Sequence, residues 1–235
     1  MDVEYPSGLQ LWIELAPILP GPAKRVLVLL HGASSSPELF APVAIAWQLK
    51  FPSAVAFVLQ APIAVKSQNG RPERFSWLVP SDDLFERSVR TREAAEKLAL
   101  TLALIEKQSG ISANQTAVIG FGEGASLALE IARSDTRLAD IVVSYAGQLS
   151  RSLSANERIS SRSVHLLHGE LDSIVTPDKS ERAFRQIKRI HENVTFDVLV
   201  DGTHVIDQDS VIVGTTRAMQ SIFQGRRPKS AGFLH

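Results

Sequence analysis

The sequence predicts an α/β fold, a mostly parallel sheet with helices on both faces. Three observations carry this. Short apolar runs at residues 25–30, 54–59, 117–119, 141–145 and 164–167 are almost free of charge, as strands buried on both sides are. They alternate with longer segments whose apolar residues recur every three or four positions. The junctions between them are short and rich in glycine, proline or aspartate. A chain of 235 residues, 44% of them hydrophobic, is long enough to bury one sizeable core. We therefore expect a single domain over residues 1–235. Its core would run from about 9 to 224, and 225–235 would form a loose tail in which Arg226, Arg227 and Lys229 are solvated.

In chain order, residues 9–15 alternate with period two and read as an edge strand. Pro17, Pro20, Gly21 and Pro22 make a turn. The strand at 25–30 runs into a loop of small residues, His31-Gly32-Ala33-Ser34-Ser35-Ser36. Residues 37–51 read as a helix with Leu39, Val43, Ala46 and Trp47 on its inner face and Pro37 in its first turn. After the strand at 54–59, residues 60–81 read as one long irregular stretch containing Pro62, Gly70, Pro72 and Pro80. Asp82 or Asp83 caps a helix over about 84–108, which Gly110 stops. Further strands are expected at 117–119, 141–145, 164–167 and 195–200, and further helices after residue 124, at 177–190 and at 208–223. No internal repeat or interdomain linker is visible.

Composition excludes several classes of function. With 25 basic and 25 acidic residues, no bulk field favours nucleic acid or an anionic membrane. The chain has no cysteine, which rules out disulfides, a thiolate nucleophile and Cys-based metal sites. The longest uncharged apolar stretch, around 54–65, is shorter than the roughly 20 residues of a membrane span. The first residues, Met1-Asp2-Val3-Glu4-Tyr5, lack an apolar signal core, so a cytoplasmic protein is expected.

The chemistry concentrates in Ala117-Val118-Ile119-Gly120-Phe121-Gly122-Glu123-Gly124-Ala125-Ser126. An apolar strand meets three alternating glycines and a helix follows at once. This is the layout of the nucleophile elbow, G-x-S-x-G. Gly120 and Gly124 occupy the flanking positions, but Gly122 stands where the nucleophilic serine is expected. Two later loops complete the pattern. One is His168-Gly169-Glu170-Leu171-Asp172, the other Asp201-Gly202-Thr203-His204. The chain order nucleophile, aspartate, histidine is that of α/β-hydrolases. In that scheme Asp172 fixes the tautomer of His204, and His204 is the general base. The amides of Ala33 and Glu123 would form the oxyanion hole.

On these motifs the chain resembles the phospholipase/carboxylesterase family of α/β-hydrolases, which includes acyl-protein thioesterases. The resemblance rests on Leu29-Leu30-His31-Gly32, Gly70, Arg74-Phe75-Ser76-Trp77, Gly120-Phe121-Gly122-Glu123-Gly124-Ala125, Leu167-His168-Gly169-Glu170-Leu171-Asp172 and Gly202-Thr203-His204. It implies an α/β-hydrolase fold without a large cap domain. It also implies hydrolysis of small-molecule carboxylic esters or thioesters, including acyl-chain lipids, with no metal or organic cofactor. The family elbow usually reads Gly-Phe-Ser-Gln-Gly, so this chain departs at Gly122 and Glu123.

Those departures shape the reading. Without the serine, the chain as written should be inactive, by natural loss or by engineering, or should serve as a ligand-binding protein on the hydrolase scaffold. Glycine suits the position sterically, because the elbow holds its central residue at positive φ. Ser126 lies a helical turn beyond, and Ser34, Ser35 and Ser36 sit on the oxyanion side, so none replaces the nucleophile. Phe75 and Trp77 would either wall an acyl groove or belong to the core. His31 would bond the loop backbone. His165 and His168 should point to opposite faces, which argues against a metal site there. Gly120, Gly122 and Ala125 also spell a dinucleotide fingerprint, G-x-G-x-x-A. However, it lies outside the first βαβ unit, and its acidic partner Asp140 precedes the next strand instead of ending it.

Overall fold

The computed structural model describes residues 11–65 and 74–224. Gly70 and the segment 225–235 lie outside them. A seven-stranded sheet runs in the order β1-β3-β2-β6-β7-β8-β9. Its strands are β1 (Trp12–Leu15), β2 (Arg25–Leu30), β3 (Ala54–Leu59), β6 (Thr116–Phe121), β7 (Ile141–Tyr145), β8 (Ser163–Gly169) and β9 (Val194–Leu199). All neighbours pair in parallel except β1, which runs antiparallel to β3 at one edge. The central strands are buried along nearly their whole length, as their apolar runs require.

Helices cover both faces. α2 (Leu84–Ser109), α3 (Glu123–Ala132) and α4 (Pro177–Lys188) pack on one side, around Val28, Val118, Leu98 and Leu127. α1 (Pro37–Lys50) and α5 (Gln208–Gln224) pack on the other, around Leu29, Ile119, Trp47 and Ala218. Asp83, not Asp82, caps α2, accepting the amides of Phe85 and Glu86. Gly110 ends that helix at φ 68°, where a side chain would be strained.

Two readings need correction. The inner face of α1 is rotated by about one residue: Phe40, Ala44, Trp47 and Gln48 are buried, whereas Leu39 is 60% exposed. The stretch 60–81 is not wholly irregular. β4 (Ile63–Val65) pairs with β5 (Arg74–Ser76) as a small second sheet. β5 also bridges to the loop after β2, where Ser35 and Phe75 exchange backbone bonds of 3.1 and 2.6 Å.

Because the strands are parallel, the loops after β2, β6, β8 and β9 open at the same carboxyl edge of the sheet. That edge is where groups far apart in sequence meet.

Candidate active site

The elbow between β6 and α3 is built by crowding. A methyl group on Gly120 would lie 2.3 Å from the carbonyl oxygen of Gly124, and one on Gly124 would lie 2.3 Å from that of Leu30. Neither position admits a side chain without moving backbone. Gly122 differs. It sits at φ 54°, ψ −112°, yet a methyl group there would meet nothing closer than 3.7 Å, and the atom at that distance is Nε2 of His204. Position 122 thus demands an unusual backbone conformation but leaves room for a side chain, aimed at His204.

His204, in the loop after β9, places Nδ1 2.7 Å from Oδ2 of Asp172, in the loop after β8. The Asp172 side chain is fully buried and that of His204 is 18% exposed. The other carboxylate oxygen, Oδ1, accepts the amides of Ile174 and Val175, each at 2.9 Å. Burial alone would raise the Asp172 pKa. The bond from His204 and the two amides outweigh it and hold the carboxyl below its usual range. Since an ionised carboxylate only accepts, Nδ1 of His204 carries the hydrogen and Nε2 is left to face position 122. Phe121 backs the imidazole, with ring centroids 4.7 Å apart.

On the opposite side lies the loop after β2, whose Gly32 Cα would be 3.9 Å from a methyl at 122. His31 sets the shape of this loop. Its Nδ1 donates to the Gly32 carbonyl at 2.8 Å, and its Nε2 accepts the Ala61 amide at 3.2 Å. Both partners are satisfied only by the neutral ring, in keeping with the lowered pKa that burial imposes. Ala33 follows as an exposed residue. Glu123 is the first residue of α3, where the amide has no acceptor within the helix. The Glu123 amide thus stands free of an intrahelical partner at the head of α3, directly after Gly122.

The Glu123 side chain turns toward the segment that follows β5. Its Oε2 accepts the Trp77 amide at 3.0 Å, and the Leu78 amide also bonds the carboxylate. Desolvation dominates and raises its pKa, while those amides and the more distant Arg87 oppose the shift. Glu123 thus pins the segment that walls the cavity beside Gly122. This cavity, of about 350 Å³, is lined by Gly122, Glu123 and Ser126 on one side and Leu78, Val79 and Arg87 on the other. Phe75 and Trp77 are not among its lining residues. Trp77 is 2% exposed, belongs to the core and donates Nε1–H to the His31 carbonyl at 2.8 Å. Phe75 packs against the same core.

The remaining candidates are occupied elsewhere. Ser126 Oγ bonds the Gly122 carbonyl and the Gln148 amide, each at 3.2 Å. Ser36 caps α1. His165 bonds Thr195 and Ser221, whereas His168 bonds Ser180 and the Val175 carbonyl, on opposite faces of β8. Asp140 precedes β7 and is bound by Arg162 at 2.6 Å, which leaves the dinucleotide reading without its ribose partner.

A model of the phospholipase/carboxylesterase family matches residues 20–214. The chain belongs to that family. It is similar to esterase YpfH of Escherichia coli (strain K12), with 29% identity over 192 residues, 81% of this chain and 80% of that protein. Among solved structures, esterase PE8 aligns with a TM-score of 0.78 at 26% identity, covering 90% of this chain and 99% of that one. The Bacillus cereus carboxylesterase shares the fold, with a TM-score of 0.73 at 15% identity over 92% and 96% of the two chains. The fold is thus that of an α/β-hydrolase in the phospholipase/carboxylesterase family. No helix among the described residues is long and apolar enough to cross a membrane.

Proposed function

We propose that this chain is a hydrolase of small-molecule carboxylic esters or thioesters whose nucleophile position has been vacated. The observation that carries the reading is the aim of position 122. A Cβ at 122 would lie 3.7 Å from Nε2 of His204, in ordinary contact, and Asp172 fixes Nδ1 at 2.7 Å behind it. That is the space and orientation a serine hydroxyl needs.

With serine at 122, Oγ would attack the acyl carbon while Nε2 of His204 takes its proton. Negative charge on the acyl oxygen would be received by the Ala33 and Glu123 amides, which act before any reorganisation is needed. His204 would then protonate the leaving alcohol or thiol, and a water activated at the same nitrogen would release the acid. Asp172 would steady the imidazolium in both halves. With Gly122 there is no acyl acceptor, so the chain as written is inactive apart from trace water attack assisted by His204.

A second reading is supported by the intact cavity of about 350 Å³: the protein binds an ester or lipid and does not cleave it. A serine-directed phosphonate separates the two. Gly122→Ser should gain the mass of one phosphonyl group and the parent none. A folded serine variant that stays unlabelled would favour the binder.

A further inference from the structure

Asp172 faces a second histidine. Nε2 of His168 lies 3.3 Å from Oδ2, the same oxygen that receives His204, and both side chains are fully buried. The same Nε2 is 2.6 Å from the Val175 carbonyl. A carbonyl only accepts, so this nitrogen carries a hydrogen. Val175 is held twice, its amide by Asp172 and its carbonyl by His168. At the other end of the ring, Nδ1 is 2.6 Å from Ser180 Oγ, which in turn reaches the Gly147 carbonyl at 2.6 Å. Ser180 belongs to α4 and is itself buried.

We propose that His168 is a positioning residue for the Asp172–His204 pair. Its Nε2–H, given to the Val175 carbonyl, closes the turn 172–175, whose Ile174 and Val175 amides hold Oδ1 and so fix the carboxylate rotamer in which Oδ2 meets Nδ1 of His204. Ser180 anchors the ring from α4, so the orientation of the general base is set through the chain Gly147, Ser180, His168, Val175, Asp172, His204. The inference rests on the reading of Asp172 and His204 as the general-base pair. What it adds is where their alignment comes from.

The test uses the protein with Gly122 in place and needs no turnover. The hydrogen between His204 Nδ1 and Asp172 Oδ2 should give a far-downfield proton resonance, assignable by its loss in His204→Gln. A glutamine amide can stand where His168 Nε2 stands, and an asparagine amide only where Nδ1 stands. His168→Gln should therefore keep the resonance. His168→Asn should lose it, through exchange with solvent, while fluorescence and melting show a folded protein. A folded His168→Asn that keeps a sharp resonance would overturn the proposal, and so would His168→Gln losing it. Should His168→Asn not fold, Ser180→Ala decides. Its resonance should be broadened relative to the parent, and an unchanged line would overturn the proposal. Because the readout is independent of position 122, failure of a serine variant to hydrolyse esters leaves this result standing, and the reverse holds too.

Discussion

Gly122→Ala and Gly120→Ala should differ in cost for reasons the elbow geometry makes explicit. At 122 the added methyl has room, with its nearest neighbour at 3.7 Å. The penalty is then backbone strain at φ 54°, about 1–3 kcal/mol, partly offset by the lower entropy of the unfolded chain, about 0.4–1 kcal/mol. A net loss of between about 0 and about 2.6 kcal/mol follows. For a chain of this length about 1 kcal/mol moves Tm by roughly 2–4 °C, so the midpoint should fall by at most about 10 °C. At 120 the methyl would sit 2.3 Å from the Gly124 carbonyl oxygen and 2.5 Å from the Ala125 nitrogen. Both are backbone atoms of α3, and relief would require separating the helix from the sheet. The loss should exceed the usual overpacking range of about 1–3 kcal/mol. Thermal and urea denaturation of both variants measure the difference. Equal destabilisation would refute the claim that position 122 has space for a side chain, and with it the geometry on which the vacated-nucleophile reading depends.

Other consequences follow from the charges around the site. Burial raises the Glu123 pKa, so its ionised form costs stability above the carboxylate range, and that cost fades as pH falls through the folded value. Glu123→Gln should therefore stabilise the protein at pH 7, with the gain shrinking toward pH 4. A gain that does not depend on pH would show that charge is not its cause. Asp172 has the opposite sign. Despite burial, the bond from His204 and the two amides depress its pKa, so it contributes stability above the ordinary carboxylate range and loses it as pH falls through the folded value. Urea titrations of Asp172→Asn should show less acid sensitivity than the parent. In a Gly122→Ser background, Asp172→Asn should lower kcat by about 10⁴, the size of the corresponding loss in a serine protease, because the amide favours the wrong imidazole tautomer. A loss under tenfold would remove Asp172 from the mechanism.

Much of this was legible in the chain because crowding leaves a mark in composition. Gly120 and Gly124 are glycine because carbonyl oxygens lie 2.3 Å from any side chain, so the elbow announces itself. The buried strands read equally well, since the two faces of the sheet allow no charge. The hairpin β4–β5 was not legible: its strands have three residues each, too few for a period, and prolines surround them. The roles of Glu123 and Trp77 were hidden for another reason. Both are fixed by bonds across 46 residues, Glu123 to the Trp77 amide and Trp77 to the His31 carbonyl. The contact of His168 with the turn leaves no mark in sequence, because its spacing to Asp172 acquires meaning only once the turn 172–175 folds back on the end of β8.

The central claim is that one side chain separates this protein from a working hydrolase, and steady-state turnover of a short activated ester by Gly122→Ser tests it most directly. The parent should not rise above a trace. The serine variant should exceed it by orders of magnitude, since without a nucleophile only oxyanion-hole and binding contributions remain, about 10³–10⁴ over water in the best-studied case. A folded Gly122→Ser that stays inert across ester and thioester chain lengths would contradict the claim.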